Sequence, residues 1–386
     1  MRSQHILLHV QHLLGVGHLF RAAVLTRALV AEGLEVTVLS GGPPVAEVDF
    51  GAADVIKLPA LRVLDETFAS YVDDAGRPVD AAWEARRREL VLATFARLKP
   101  AALIVEMFPF GRRRLRFELL PLLDAAVRAE PRPVVVSSVR DVLTARRPDR
   151  IRETAALARQ FFDAVLVHGD PTVIPFEASF PRAAEIAGRL HYTGYVAPPA
   201  PRRGRPSAPG WGEVVVSAGG GAVGEALLQA ALAAPSLSGR ARGRPWRLLV
   251  GRNLPDARLG AMRSAAPPGV QVARNRPDFP KLLANCAVSV SQGGYNTVVN
   301  VLNARARAVI VPFSRAGETE QLLRGERLRE LGLAWIVNEA RLSPTALAAA
   351  VDRALKGPRP RTMGIALDGA DKAAKLVAAW AARGHV

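Results

Sequence analysis

With 386 residues the chain is long enough to bury two cores of ordinary domain size. Its 52 Lys+Arg against 35 Asp+Glu give a formal charge of +17, carried mostly by arginine, which suits phosphates or anionic lipid headgroups and follows equally from arginine-rich codon usage. Aromatic residues make up 6% and no arginine- or glycine-rich tail occurs, which argues against nucleic acid; the single cysteine, Cys286, excludes an intramolecular disulfide framework and a multi-cysteine zinc site.

The amino terminus, MRSQHILLHVQHLLGVGH, is interrupted by His5, His9, Gln11 and His12 before a secretory apolar region can form, and no run of 18 apolar residues occurs. A cytoplasmic protein, soluble or peripheral on the inner face of a membrane, is the expectation. Ile6 to Val10 reads as a strand, Leu13 to His18 as a glycine-containing loop, Leu19 to Glu32 as a helix and Val36 to Ser40 as the next strand, stopped by Gly41-Gly42-Pro43-Pro44. Further strands are expected at Asp54 to Leu58, Ala102 to Glu106, Val134 to Ser138 and Ala164 to His168, with helices at Ala81 to Leu98, Phe117 to Ala129 and Ile151 to Phe161. Strands alternating with helices predict a parallel α/β sheet covered on both sides.

Thr193-Gly194-Tyr195 closes this half, and the Pro-, Gly- and Arg-rich stretch 196–210 reads as an interdomain linker. The rhythm then restarts: a strand from Glu213 to Ala218 ends in Gly219-Gly220-Gly221, a helix runs from Gly224 to Ala233, strands are expected at Arg247 to Gly251 and Val270 to Ala273, and a helix at Phe279 to Asn285. Residues 343–356 and 371–383 look helical. The expected organisation is an amino-terminal domain over 1–195, the linker 196–210, a second domain over 211–364 and a tail, 365–386, whose helix packs back on the first domain.

The most telling stretch is SVSQGGYNTVVNVLNARARAVIVPFSRAGETEQ, residues 289–321. A short strand to Ser291 leads through Gly293-Gly294 into a helix over Thr297 to Asn303, a strand over Ala308 to Pro312, and a polar loop carrying Glu320-Gln321. Exposed N–H groups at a helix start suit a diphosphate, and a carboxylate beside an amide suits sugar hydroxyls. Asp-x-Asp and metal-spaced His/Cys/Glu clusters are missing, so no metal is expected; Gly219 to Gly221 lacks the Lys-Ser/Thr of an NTPase loop, and Gly15-Val16-Gly17 is not a full dinucleotide fingerprint.

QGGYNT followed by PFSRAGETEQ, with the amino-terminal glycine loop and TGY at the domain exchange, resembles the GT-B fold glycosyltransferases, in particular the bacterial family that adds N-acetylglucosamine to the undecaprenyl-linked peptidoglycan precursor, together with its uncharacterised relatives. The resemblance runs through most of the chain and is specific in the carboxyl-terminal half. It implies two facing Rossmann-like domains with a cleft between them, the first holding an acceptor and the second a nucleotide sugar, usually UDP-linked, as co-substrate. It places Gln292, Gly293, Gly294, Tyr295, Asn296 and Thr297 at the donor diphosphate, Glu320 and Gln321 at the transferred sugar, Gly219, Gly220 and Gly221 near the diphosphate, and Arg276 at the base through its backbone. Asn300 departs from the family, which commonly has a ribose-binding glutamate there; an amide bonds a diol without charge assistance.

On the amino-terminal side Gly15 and Gly17 frame His18, which can serve as the base that deprotonates the acceptor, hold an acceptor phosphate, or merely cap a helix. Asp141, at a strand end beside Arg140, is the second candidate base and equally a helix cap or an ion-pair partner. Glu106, then Phe108-Pro109-Phe110-Gly111 with Arg112, Arg113, Arg114 and Arg116, reads either as an acceptor-side surface for a lipid-linked phosphate or anionic membrane, or as a solvated helix start. The expected activity is metal-independent transfer of a hexose or N-acetylhexosamine to a small-molecule or lipid-linked acceptor, with inversion implied by the resemblance alone. A nucleotide-sugar hydrolase or epimerase on the same fold, and a non-catalytic sugar-nucleotide or lipid-binding protein, are the alternatives.

Overall fold

A computed structural model describes residues 4–13, 15–63, 70–218, 224–251, 254–314, 319–362 and 364–386. The chain divides into two compact units, one comprising 1–171, 175–196 and 368–386, the other 172–174 and 197–367. The tail helix is thus part of the first unit.

In chain order the first unit contains β1 (His5–Val10), α1 (Gly17–Ala31), β2 (Glu35–Ser40), β3 (Asp54–Lys57), the short antiparallel pair β4 (Arg62–Val63) and β5 (Tyr71–Val72), α2 (Ala81–Leu98), β6 (Ala102–Glu106), α3 (Arg116–Arg128), β7 (Val134–Arg140), α4 (Pro148–Phe161), β8 (Ala164–His168) and β9 (Leu190–Tyr192). Seven strands form one parallel sheet in the order β3-β2-β1-β6-β7-β8-β9. Alternation along β1 sorts its side chains: Ile6, Leu8 and Val10 join a core with Leu19, Leu25 and Leu29 of α1, while Leu7 faces Trp83, Val91 and Leu119 on the other side. A parallel sheet covered on both faces needs apolar residues on both, and β6, β7 and β8 supply them.

The second unit contains β10 (Val214–Ser217), α5 (Glu225–Leu237), β11 (Trp246–Val250), α6 (Asp256–Ser264), β12 (Val270–Arg274), α7 (Phe279–Asn285), β13 (Val288–Ser291), α8 (Tyr295–Asn303), β14 (Ala308–Ile310), α9 (Glu320–Glu330), β15 (Trp335–Ile336) and α10 (Pro344–Lys356). Its six strands are parallel in the order β12-β11-β10-β13-β14-β15. Ser343 caps α10 by accepting from the Ala346 N–H (3.1 Å), with Pro344 at the first helical position. Residues 197–210 form no regular element yet are tied to this unit: Asn285 accepts from the Gly204 N–H (2.7 Å) and donates to the Pro209 carbonyl (2.9 Å).

The final helix, α11 (Gly369–Arg383), packs beside α1 and puts Ala373, Ala374, Val377, Trp380 and Ala381 into the first unit's core. It starts against the Thr193-Gly194-Tyr195 segment, where a Cβ on Gly369 would lie 2.2 Å from the Gly194 carbonyl oxygen, so the approach requires glycine.

Six elements escaped the pattern reading. β4, β5, β9 and β15 are too short for alternation, α6 buries only Leu259 and Met262, and α9, read as a polar loop at its start, buries Glu320, Arg324, Gly325 and Leu328 rather than an apolar stripe.

Candidate active site

Each sheet reverses its strand order once, between β1 and β6 in the first unit and between β10 and β13 in the second. In open parallel sheets ligands bind outside the carboxyl ends of the strands at such a reversal. The sequence candidates gather at these two places.

In the first unit Gly17 opens α1, which sets His18 in its first turn beside Glu106, the last residue of β6. His18 Nδ1 and Glu106 Oε1 are 2.7 Å apart, and Arg21, one turn along α1, donates to the same carboxylate oxygen. Burial alone pushes the Glu106 carboxyl up, but His18 and the Arg21 and Arg112 guanidiniums outweigh it and hold it at about 2. An ionised carboxylate only accepts, so Nδ1 carries the proton and Nε2 keeps its lone pair. Burial is also the largest influence on His18 and takes it down to about 3; Glu106 opposes this, while Arg112 and Arg21 add to it. The imidazole is therefore neutral at neutral pH, with a free acceptor nitrogen and a side chain still 19% exposed.

Asp141 lies just past β7 and is fully buried, accepting from the N–H of Val142 (2.8 Å). A Cβ on Gly169 would come 2.6 Å from the Asp141 Cβ, so the turn after β8 closes over it. Arg140, the end of β7, is half-buried. Beside it His168 is fully buried, with Ser138 Oγ at 2.8 Å and Thr193 Oγ1 at 2.9 Å, and burial lowers it to about 3. Gly15 is exposed, with nothing within 4 Å of where a Cβ would stand.

The aromatic and arginine cluster is placed differently from the expected docking surface. Phe108 and Phe110 are 1% and 4% exposed and belong to the core, Phe110 stacking edge-on with Phe176 and Phe180. Arg113 and Arg116 pair with Glu153, and Arg114 with Glu84, so those charges are met by neighbouring helices. Arg112 is half-buried, and its charge acts on Glu106 and His18.

Sequence reasoning missed the brace beneath this site. Arg87 of α2, fully buried, donates to Glu118 through Nε (2.6 Å) and Nη2 (2.9 Å), to Gln11 Oε1 (2.7 Å), and to the Gly41 (3.0 Å) and Pro59 (2.7 Å) carbonyls, committing all five N–H groups. His9 completes it with Nε2 3.0 Å from Glu118. The network ties the loop after β1 to α2 and α3; a signal existed in the polar His9 and Gln11 flanking an apolar strand end, but their partners lie more than 70 residues away.

In the second unit Gly294 stands at the cap of α8 in extended backbone, and nothing lies within 4 Å of where its Cβ would be. The helix it opens begins with Tyr295, Asn296 and Thr297, and a helix start of this kind suits an anion. Gly293 serves a different need: a Cβ there would meet the Gln321 carbonyl at 2.9 Å. Gln321 Oε1 accepts from the Gly293 (2.9 Å) and Phe313 (3.2 Å) N–H groups, and Arg324, fully buried, donates to the Gly293 carbonyl (2.7 Å) and to Glu320 (3.0 Å) while lying 5.9 Å from the Tyr295 ring centroid. The first turn of α9 thus fixes the glycine turn. Gln292 is buried, and the half-buried Asn300 keeps its Oδ1 out of solvent with no hydrogen-bond partner. Arg276 is clamped by Asp278 (2.7 and 2.8 Å). Gly219, Gly220 and Gly221 lie outside the described residues. Among the described residues no group of three or more His, Cys, Asp or Glu is placed to hold a metal ion, and no helix is long and apolar enough to cross a membrane.

Residues 245–377 match the glycosyltransferase family 28 C-terminal domain. Over 117 residues the chain is 26% identical to the UDP-N-acetylglucosamine--N-acetylmuramyl-(pentapeptide) pyrophosphoryl-undecaprenol N-acetylglucosamine transferase of Rhodospirillum centenum; the match spans 27% of this chain and 31% of that protein. Among solved structures, CalG4, the calicheamicin glycosyltransferase, superposes with a TM-score of 0.66 at 19% identity, covering 99% of both chains. MurG of Acinetobacter baumannii superposes with a TM-score of 0.57 at 17% identity, covering 98% of this chain and 99% of that one. These likenesses establish the GT-B fold.

Proposed function

We propose that this chain, a GT-B protein whose residues 245–377 are a glycosyltransferase family 28 C-terminal domain, moves a hexose or N-acetylhexosamine from a nucleotide diphosphate donor, UDP-linked in the first instance, to an acceptor hydroxyl. The observation that carries this reading is the His18–Glu106 pair at the strand-order reversal of the first unit. His18 Nε2 takes the proton from the acceptor hydroxyl as its oxygen forms the new bond to the anomeric carbon. The bond from that carbon to the diphosphate breaks, its electron pair leaving with the diphosphate. A single displacement of this kind inverts the anomeric carbon. Glu106, accepting Nδ1–H, fixes the tautomer and stabilises the imidazolium as it forms. In the second unit, the helix start at Gly294 suits the donor diphosphate. Asp141, committed to the turn it starts, is the weaker candidate for the base.

The donor reading draws on Asn300, whose orphaned Oδ1 suits a ribose hydroxyl, and on Gln321, whose amide nitrogen stays uncommitted among the described residues. The name of the Rhodospirillum protein points to a UDP-linked donor and a lipid diphosphate acceptor, and that of the calicheamicin enzyme to a small-molecule acceptor. Incubation with a panel of labelled nucleotide sugars, with and without lipid and small-molecule extracts, separates the possibilities. Label in an extract component is the expected result. Free sugar without acceptor would mean a hydrolase, and binding without turnover would sink the enzymatic reading.

A further inference from the structure

The arginines of this protein show how they bind carboxylates. Arg77, Arg87, Arg247 and Arg276 each present the side-on edge formed by Nε and Nη2 to the two oxygens, or one oxygen, of Asp73, Glu118, Glu213 and Asp278. On Arg112 the same two atoms, Nε and Nη2, are shielded from water and have no hydrogen-bond partner. A guanidinium is permanently charged, so an empty, desolvated fork is an unfavourable state that a matching anion relieves.

Arg112 follows the end of β6, and the groups that act on its charge include Glu106, Arg140, Arg21 and Tyr71. Glu106 is committed through Oε1 to His18 and Arg21, while its Oε2, like the Arg112 fork, is buried with no hydrogen-bond partner among the described residues. The segment carrying Arg112 is held in an uncommon backbone form: Met107 and Arg112, at its two ends, have φ of 65° and 56°, in the left-handed region that L side chains rarely adopt. Arg112 is half-buried, next to solvent, whereas Arg87, with every donor satisfied, is wholly inside.

We infer that Arg112 is a specificity-determining residue that grips an anionic group of the acceptor, a carboxylate or a phosphate, bidentately beside His18. The inference rests on the transferase reading for the word acceptor, but not for the anion site itself.

The test uses the full chain, its Arg112→Gln and Arg112→Lys variants, and three probes: inorganic phosphate, benzoate and UDP, each titrated calorimetrically. Expected are saturable binding of phosphate, benzoate or both to the wild type, weakening by about tenfold or more in Arg112→Gln and by less in Arg112→Lys, which keeps charge but loses the fork. Loss with phosphate alone identifies a phosphorylated acceptor, and loss with benzoate alone a carboxylated one. UDP affinity should stay within about twofold in both variants, and an unchanged thermal transition of the first unit reports that they fold. Equal anion affinities in wild type and Arg112→Gln, or no saturable anion binding by a wild type that binds UDP, would overturn the inference. Failure of the wild type to bind UDP while the anions respond to Arg112 would instead overturn the donor reading and leave the anion site standing.

Discussion

His18 and Glu106 concentrate the chemistry of the first unit in one hydrogen bond, and their titration makes the reading sharp. Because His18 is held near 3, kcat/KM should show no acidic limb near 6.5, where an ordinary imidazole protonates; a pH profile between 5 and 8 checks this, a drop centred near 6.5 being the contrary result. Stability behaves otherwise. His18 and His168 have folded-state values lowered to about 3, below the ordinary 6.5, so the unfolded chain binds protons first and stability falls as pH drops from 6.5 toward 3. Glu106, held at about 2 against an ordinary 4.5, adds stability above 4.5 that is lost as pH falls toward 2. Denaturant midpoints should therefore begin to decline near pH 6.5, and His168→Gln should flatten the first part of that decline. At this scale the sequence was partly legible: His18 after its glycine loop and Glu106 at a strand end both stand where they were expected, yet their bond spans 88 residues and could not be read. Arg21, Arg87 and Glu118 were illegible for the same reason, since charged residues in helices ordinarily face solvent.

Among the elements, the turn into α8 gives the cleanest contrast. Gly293→Ala drives a Cβ into the Gln321 backbone, so it should lower the melting temperature and weaken nucleotide binding together. Gly294→Ala meets open space with ordinary backbone angles, so the fold should keep its melting temperature while UDP affinity falls, the methyl intruding on the ligand ground. Parallel calorimetry and thermal melts distinguish these; a normal UDP affinity in Gly294→Ala would argue against a diphosphate at this helix start. Arg324→Ala breaks the buried ion pair with Glu320 and the bond to the Gly293 carbonyl, and should cost about 3–5 kcal/mol in unfolding free energy. The glycine pair was visible in the sequence as a break between a strand and a helix, although only Gly293 is required by a close approach, that of Gln321. That Glu320 and Gln321 begin a helix and brace the turn was not visible, because α9 has too little apolar periodicity to announce itself.

For the whole molecule, two doubly wound parallel sheets follow from two successive runs of alternating strands and helices, and that rhythm was readable apart from the shortest strands, α6 and α9. Where α11 belongs is decided by its alanine-rich stripe and Trp380 fitting beside α1. Truncation after Leu367 should remove on the order of 5 kcal/mol from the first unit, by analogy with deleting a large aromatic and several small core groups, while the second unit goes on binding UDP. Loss of UDP binding with an unchanged first-unit transition would contradict that division. The central claim is that this chain moves sugar with His18 as its base, and single-turnover transfer at saturating donor, comparing wild type with His18→Ala, tests it most directly. The expected result is transfer slowed by about a hundredfold or more with UDP affinity intact; transfer at the wild-type rate would contradict it.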